Sequence, residues 1–256
     1  MKTNLKWNKR ILITLFISMP GTIFGMAGSS TGSLLDGARA NSFPRVKHWL
    51  DSGADVNATD HRDNTALYFV TNQKSADADI VSLLIQNGAN VNAANVSGTT
   101  ALMNAASNTN TNIVDLLIQN GAIVNATDKS GVTALMKAAE NKTNAKIVAL
   151  LIQNNANVNA INKYGTTALM YAAVSDGINN AILLIQNGAN VNTQDVDGNT
   201  PLHHAAQGGY SDMVGLLLEK GARTDVTNKD GQTALDEAIK YRRTDIIDQL
   251  LEAMHH

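Results

Sequence analysis

The stretch "LLIQNGANVNA", Leu83 to Ala93, returns as "LLIQNGAIVNA" from Leu116, "LLIQNNANVNA" from Leu150 and "LLIQNGANVNT" from Leu183. A reacting centre needs one set of groups, whereas a stack of like units needs the same structural phrase in each, so the repetition describes architecture. The apolar residues around the second copy, Ile113, Val114, Leu117 and Ile118, have helical rather than alternating spacing and face one stripe inward. Gly88, Gly121, Gly188 and Gly221 follow at the point where such a helix ends in a left-handed residue. Asn155 stands there in the third copy, and asparagine is the next most tolerant of that backbone angle.

A second phrase keeps the same rhythm. "TALYFV" begins at Thr65, "TALMNAA" at Thr100, "TALMKAA" at Thr133, "TALMYAA" at Thr167, "TPLHHAA" at Thr200 and "TALDEAI" at Thr233, at intervals of 35, 33, 34, 33 and 33 residues. Together the two phrases resemble the ankyrin repeat, a turn followed by two antiparallel helices with the marker T-P-L-H-x-A. The resemblance runs from about residue 32 to the C-terminus and implies an all-α solenoid of about seven turn-helix-loop-helix units, starting near residues 32, 65, 100, 133, 167, 200 and 233. It also implies that Asn57, Asn92, Asn125, Asn159 and Asn192, which recur at one register, tie adjacent turns together.

Local chemistry supports each part of such a unit. The threonine hydroxyl can accept from an otherwise unpaired N–H at the start of the first helix, and Pro201 lies just inside one such start, where its missing N–H costs nothing. Alanine pairs such as Ala105 with Ala106 and Ala138 with Ala139 let helices approach closely. Insertions within "TNQKSADAD" and "ENKTNAK" fall between the two helices of a unit, where an exposed connection lengthens cheaply. Asp63 replaces the tip glycine of later copies, which predicts an adjusted first turn. Asn180 and Ala181 replace an Ile-Val pair, which predicts the worst-packed second helix of the set. An open stack must also close its ends. Arg45 and His48 in the first unit, and Gln249 at a position occupied by Leu116 or Leu183 in the middle, read as polar caps.

The first 27 residues differ from the rest. Lys2, Lys6, Lys9 and Arg10 precede the apolar run "ILITLFISM", Pro20 and Gly21 break it, and Gly25-x-Ala27 ends in small residues. This is the layout of a secretory signal (1–27), with 28–31 a short N-terminal segment before the repeats (32–256) and export to the periplasm or beyond as the expected destination. An uncleaved membrane anchor is the alternative, although 17 residues with an internal proline are short for a span. Removing four basic and no acidic residues from the 20 and 22 of the whole chain leaves 16 against 22, a formal charge of −6. That balance argues against nucleic acid as a partner, because phosphate binding draws on lysine and arginine. The chain has no cysteine, which excludes disulfides, thiolate metal sites and cysteine nucleophiles.

No catalytic, cofactor or metal constellation emerges. His203 and His204 are adjacent, so on a helix they point about 100° apart and cannot grip one ion. Met103, Met136 and Met170 occupy the position of the marker histidine and read as adaptable core filling. What varies is the turn tips: His61, Arg62 and Asn64; Val96, Ser97 and Thr99; Lys129, Ser130 and Val132; Lys163, Tyr164 and Thr166; Val196, Asp197 and Asn199; Lys229, Asp230 and Gln232. Adjoining helix positions add Phe69, Asn104, Lys137, Tyr171, His204 and Glu237. On ankyrin-like stacks such positions line one concave surface that binds proteins. The expected contact residues are Arg62, Lys129, Lys137, Lys163, Tyr164, Tyr171, Asp197 and His204. The middle of the strip combines tyrosines with positive charge and suits a protein partner with an acidic segment. Lys163, Tyr164 and Tyr171 are expected to lie outside the inter-repeat core, and the chain is expected to act as a noncatalytic monomer, in its own envelope or, alternatively, as an effector released towards host proteins.

Overall fold

The computed structural model describes residues 32–254. The expected signal segment with its expected cleavage before Gly28, the segment 28–31, and the terminal His255 and His256 lie outside those residues. Fourteen helices among the described residues fall into seven consecutive pairs: α1 (Leu34–Arg39) with α2 (Phe43–Asp51), α3 (Ala66–Thr71) with α4 (Ala78–Gln86), α5 (Ala101–Ser107) with α6 (Thr111–Gln119), α7 (Ala134–Glu140) with α8 (Ala145–Gln153), α9 (Ala168–Val174) with α10 (Ile178–Gln186), α11 (Pro201–Gly208) with α12 (Ser211–Glu219), and α13 (Ala234–Lys240) with α14 (Thr244–Met254). The insertions lengthen two connections, 72–77 and 141–144, against 108–110 and 175–177 elsewhere. No described helix is long and apolar enough to cross a membrane.

The first helices begin where the threonines stand. Thr65, Thr100, Thr133, Thr167 and Thr233 each accept, at 3.1–3.4 Å, from the backbone N–H three residues on, and such a cap is worth about 1 kcal/mol. The second helices end at residues with positive φ, +87° at Gly88 and +64° at Asn155. Asp63 takes the left-handed angle of the glycine it replaces, with φ +59°, so the first turn keeps its form.

Each first helix packs on the first helix of the next pair, and each second helix on the next second helix. The alanine pairs Ala105/Ala106, Ala138/Ala139, Ala172/Ala173 and Ala205/Ala206 are buried between them, with Leu102, Leu135, Leu169 and Leu202 beside them. Ile113, Val114 and Leu117, with their counterparts Ile147, Val148 and Leu151, fill the layer between the helices of each pair. Met103, Met136 and Met170 are buried in this core.

Two expectations about packing are corrected. Asn180 is fully buried and is a strap rather than a defect: its Nδ2 donates to the carbonyls of Ala139 at 3.2 Å and Asn141 at 2.9 Å in the preceding unit, while its Oδ1 has no partner. Gln249 does not cap the outer face. Its Nε2 donates to Ser211 Oγ on α12 at 2.9 Å, so it is an inter-unit contact. The last pair exposes Asp236, Lys240, Asp245, Asp248 and Glu252 as a polar cap requires, although Ile239, Leu251 and Met254 are exposed among them, and Arg45 and His48 are exposed at the other end.

Two sets of hydrogen bonds join the turns and a third closes each one. Asn57, Asn92, Asn125, Asn159 and Asn192 each donate Nδ2 to the carbonyl at the end of the next unit's second helix, at 2.8–3.1 Å. Each accepts, at 2.7–2.9 Å, from an N–H two residues beyond that carbonyl, as the resemblance implied. At the tips, backbone N–H groups of Val96, Lys129, Lys163, Val196 and Lys229 donate to the carbonyls of Arg62, Ser97, Ser130, Tyr164 and Asp197, at 2.8–2.9 Å. Within each turn, Asp60, Asn95, Asp128, Asn162, Asp195 and Asn228 accept from the N–H groups two and four residues on, at 2.8–3.0 Å.

The tip glycines share a positive φ, and those followed by another turn also lie close to it, although Asp63 carries a side chain at the first tip with the next turn still bonded to it. A Cβ on Gly165 would stand 2.9 Å from Asp195 Cα of the next turn, whereas one on Gly231, which has no following turn, meets nothing within 4 Å. Both have similar positive φ, +71° and +73°. Gly231→Ala is therefore expected to cost only the left-handed backbone penalty of about 1–2 kcal/mol. Gly165→Ala should cost about 1–3 kcal/mol more, because the turns must separate. Urea denaturation of the two variants gives the difference directly, and equal losses would mean that the tips are not in load-limiting contact.

Candidate protein-binding strip

Five of the eight expected contact residues sit on the tip ladder itself. Arg62, Lys129, Lys163, Tyr164 and Asp197 are exposed, and each has its backbone N–H or carbonyl fixed to a neighbouring tip. Tyr164 is 60% exposed, with Ile161 at 59% and Val196 at 44% close to it in the same pair of turns. Asn64 and Val132, expected among the tips, are buried at the base of their turns.

The adjoining helix positions form a second, deeper row. Lys137, Tyr171 and His204 are half-buried, and Asn104 and Glu237 are buried. Tyr171 corrects the expectation that it stands clear of the core: its ring packs against the buried apolar cluster, and its hydroxyl accepts from Asn162 Nδ2 at 3.3 Å. Burial and the Glu140 carboxylate push its phenol up from the ordinary value. His204 Nε2 lies 2.9 Å from Asp195 Oδ2, and Asn228 Nδ2 reaches Glu237 Oε1 at 3.5 Å. In each case the holding residue is the turn Asp or Asn nine positions earlier, the same side chain that closes its own turn. Sequence reasoning missed this row of holders, although its signal was present: an Asp or Asn stands five residues before every capping threonine from Thr65 onward.

The holders also tune charge. Asp60 is raised by desolvation, but hydrogen bonds from the Asn64 side chain and from the backbone N–H groups of Arg62 and Asn64 outweigh that and hold its carboxyl at about 2. Arg39 of the first unit reaches Asp60 Oδ2 at 3.2 Å and stacks 4.2 Å from the centre of the Phe69 ring. The strip thus begins with a pinned Arg-Asp-Phe group and is freest in its middle, around Tyr164.

The family description "Ankyrin repeats (3 copies)" matches residues 34–128, 123–195 and 182–256. The chain belongs to the ankyrin-repeat family. Ankyrin repeats indicate a protein-protein interaction module, so the ordered tips and helix faces are the part of this chain to read for a partner. A comparison with curated proteins finds no match. Among the described residues no group of three or more His, Cys, Asp or Glu side chains is placed to hold a metal ion.

His203 belongs to the ankyrin marker Thr200-Pro201-Leu202-His203 and is buried. Its Nδ1 accepts from the Thr200 N–H at 3.2 Å, so the proton sits on Nε2, which donates to the Gln232 carbonyl at 3.1 Å and ties α11 to the last turn. Burial pulls this imidazole below its ordinary value, more strongly than the Gln232 bond raises it. The unfolded chain therefore takes up the proton first as pH falls. The stabilisation from neutral His203 is complete above the ordinary histidine value of about 6.5 and is lost as pH drops through the lower folded value. His203→Met, the residue of the middle units, is expected to flatten the fall in unfolding free energy as pH drops below about 6.5. Urea midpoints at several pH values check this, and an unchanged slope would place the titration elsewhere.

Proposed function

We propose that the chain is an exported, noncatalytic ankyrin module that captures a protein partner along the tip strip, with Lys163 and Tyr164 at its centre and Lys129 and Lys137 alongside. The observation that carries this reading is the tip ladder: side chains of unrelated type are presented at fixed intervals on backbone already tied rung to rung. Such preorganisation leaves little ordering to be done when a partner docks. Aromatic residues carry much of the energy of protein interfaces, and Tyr164, Ile161 and Val196 offer an exposed apolar centre. The nearby lysines suit an acidic segment on the partner.

Export is read from the basic, apolar and small-residue order of residues 1–27. Release towards a host cell draws on the same leader and the same strip, and nothing further favours it. The strip would work from a monomer, since it needs no second copy of the chain to be complete.

Affinity capture from the native compartment, followed by binding to the identified partner in purified form, tests the strip. Lys163→Ala with Tyr164→Ala is expected to abolish capture while unfolding stability stays within about 0.5 kcal/mol, as befits exposed positions. Tyr171→Ala, by contrast, should lower the melting temperature plainly because its ring is packed. Retained capture in the double variant would move the site off the tips.

A further inference from the structure

Between the sixth and seventh helix pairs, the strip opens into a polar cavity of about 260 Å³ lined by Asp197, His204, Asn228, Asp230, Glu237 and Lys240, among others. That volume falls below the ~300–1,000 Å³ of small-molecule sites and matches one long side chain better than a cofactor. Glu237 decides its character. The residue is only 6% exposed, yet its carboxylate is poorly satisfied: Oε1 lies 3.5 Å from Asn228 Nδ2 and 3.6 Å from Lys240 Nζ, and Oε2 is buried with no partner. A buried carboxylate oxygen without a donor is costly.

The fold does not require an acid there. The same row position holds Phe69, Asn104, Lys137, Tyr171 and His204 in the other units, so Glu237 is the row's one carboxylate. Nor do its neighbours neutralise it well. Lys240 is about half exposed, and its ammonium divides between Glu237, Gln232 Oε1 at 3.4 Å and the Tyr241 ring at 5.4 Å, all long contacts. Asp195 beneath is occupied by His204. Burial pulls the imidazole of His203 on the cavity wall below its ordinary value, and exposed Asp197 and Asp230 outnumber exposed Lys229 at the rim.

We infer that this cavity receives an arginine side chain from the partner segment bound along the strip, its guanidinium displacing Lys240 from Oε1 and donating to the Glu237 carboxylate. The inference rests on the strip reading and adds the chemistry at one end of it. Asp197 belongs both to the cavity lining and to the tip ladder, so a segment lying on the tips passes over the opening. A guanidinium suits better than an ammonium because its planar fork places two donors on one carboxylate or across Glu237 and a rim aspartate. The segment so described is mixed: acidic where it crosses Lys129 and Lys163, with an arginine towards the C-terminal end of the stack.

The test needs no partner protein. Amide spectra of the isotope-labelled chain are titrated with the blocked peptide acetyl-Gly-Gly-Arg-Gly-Gly-amide and with its Gln and Lys counterparts. Saturable shifts at Asn228, Glu237 and Lys240 are expected with the Arg peptide, weaker ones with Lys and none with Gln. Glu237→Gln keeps the shape and should weaken the Arg peptide about tenfold or more, as loss of a charge-assisted pair implies. Lys240→Ala removes the competing cation and should tighten it severalfold, so a misfolded Glu237 variant does not leave the inference unexamined. Equal shifts with the Gln peptide, no saturable shift at the cavity, or unchanged binding in both variants would overturn it. Such a failure leaves the strip reading standing if Lys163 and Tyr164 still control capture; if the peptide binds but capture ignores those residues, the strip reading fails instead.

Discussion

The spacing between neighbouring units governs everything else in this molecule, and the alanine pairs of the first helices set it. Ala105, Ala106, Ala138, Ala139, Ala172, Ala173, Ala205 and Ala206 are buried at positions where a larger side chain would hold successive helices apart. The turns tolerate little change in that distance, since the tip ladder closes at 2.8–2.9 Å and a Cβ on Gly98, Gly131, Gly165 or Gly198 would stand only 2.9–3.1 Å from the next turn. Helix packing and turn bonding therefore enforce one repeat distance at two separate levels. Each unit alone would expose its apolar stripe, and only neighbours supply the cover, as in other quasi-one-dimensional stacks.

The asparagine ladder works within that frame. Its five members are largely exposed, and each makes one bond as donor and one as acceptor to the end of the next unit's second helix. Net values of about 0.5–1.5 kcal/mol per bond are small beside the buried core, yet these bonds fix where each second helix ends relative to the previous turn. Asn180 does similar work at depth with an amide where its neighbours use aliphatic contact.

Much of this was legible in the sequence because it follows from local rules. Threonine caps, Pro201, the left-handed glycines, Asn155 and the recurrent asparagines depend on a few adjacent residues, and all stand where the repeat spacing put them. What escaped was set by orientation across units. Tyr171 looked exposed because its position varies between copies, but a long side chain on the inner row can fold back onto the core while its hydroxyl meets Asn162. Gln249 looked like a cap because it is polar, but its helix phase turns it towards Ser211. The turn Asp and Asn residues were visible as a register five before each threonine, though only geometry shows each closing a turn and, in several units, holding a helix-face residue. For the strip, sequence located the exposed tips well and could not foresee that the deeper row is held rather than free.

If one spacing is enforced at both levels, disturbing it in the helices must be felt at the tips. Ala139→Val places extra bulk in the buried first-helix layer while leaving every turn residue intact. Hydrogen exchange at the Lys163 amide, which donates to the Ser130 carbonyl at 2.8 Å, is the most direct readout, taken alongside urea unfolding. The account predicts a loss of about 1–3 kcal/mol and a drop in Lys163 protection larger than that global loss explains. Unchanged protection at Lys163, with stability within about 0.5 kcal/mol, would show that the turns hold their spacing independently of the helices and would contradict it.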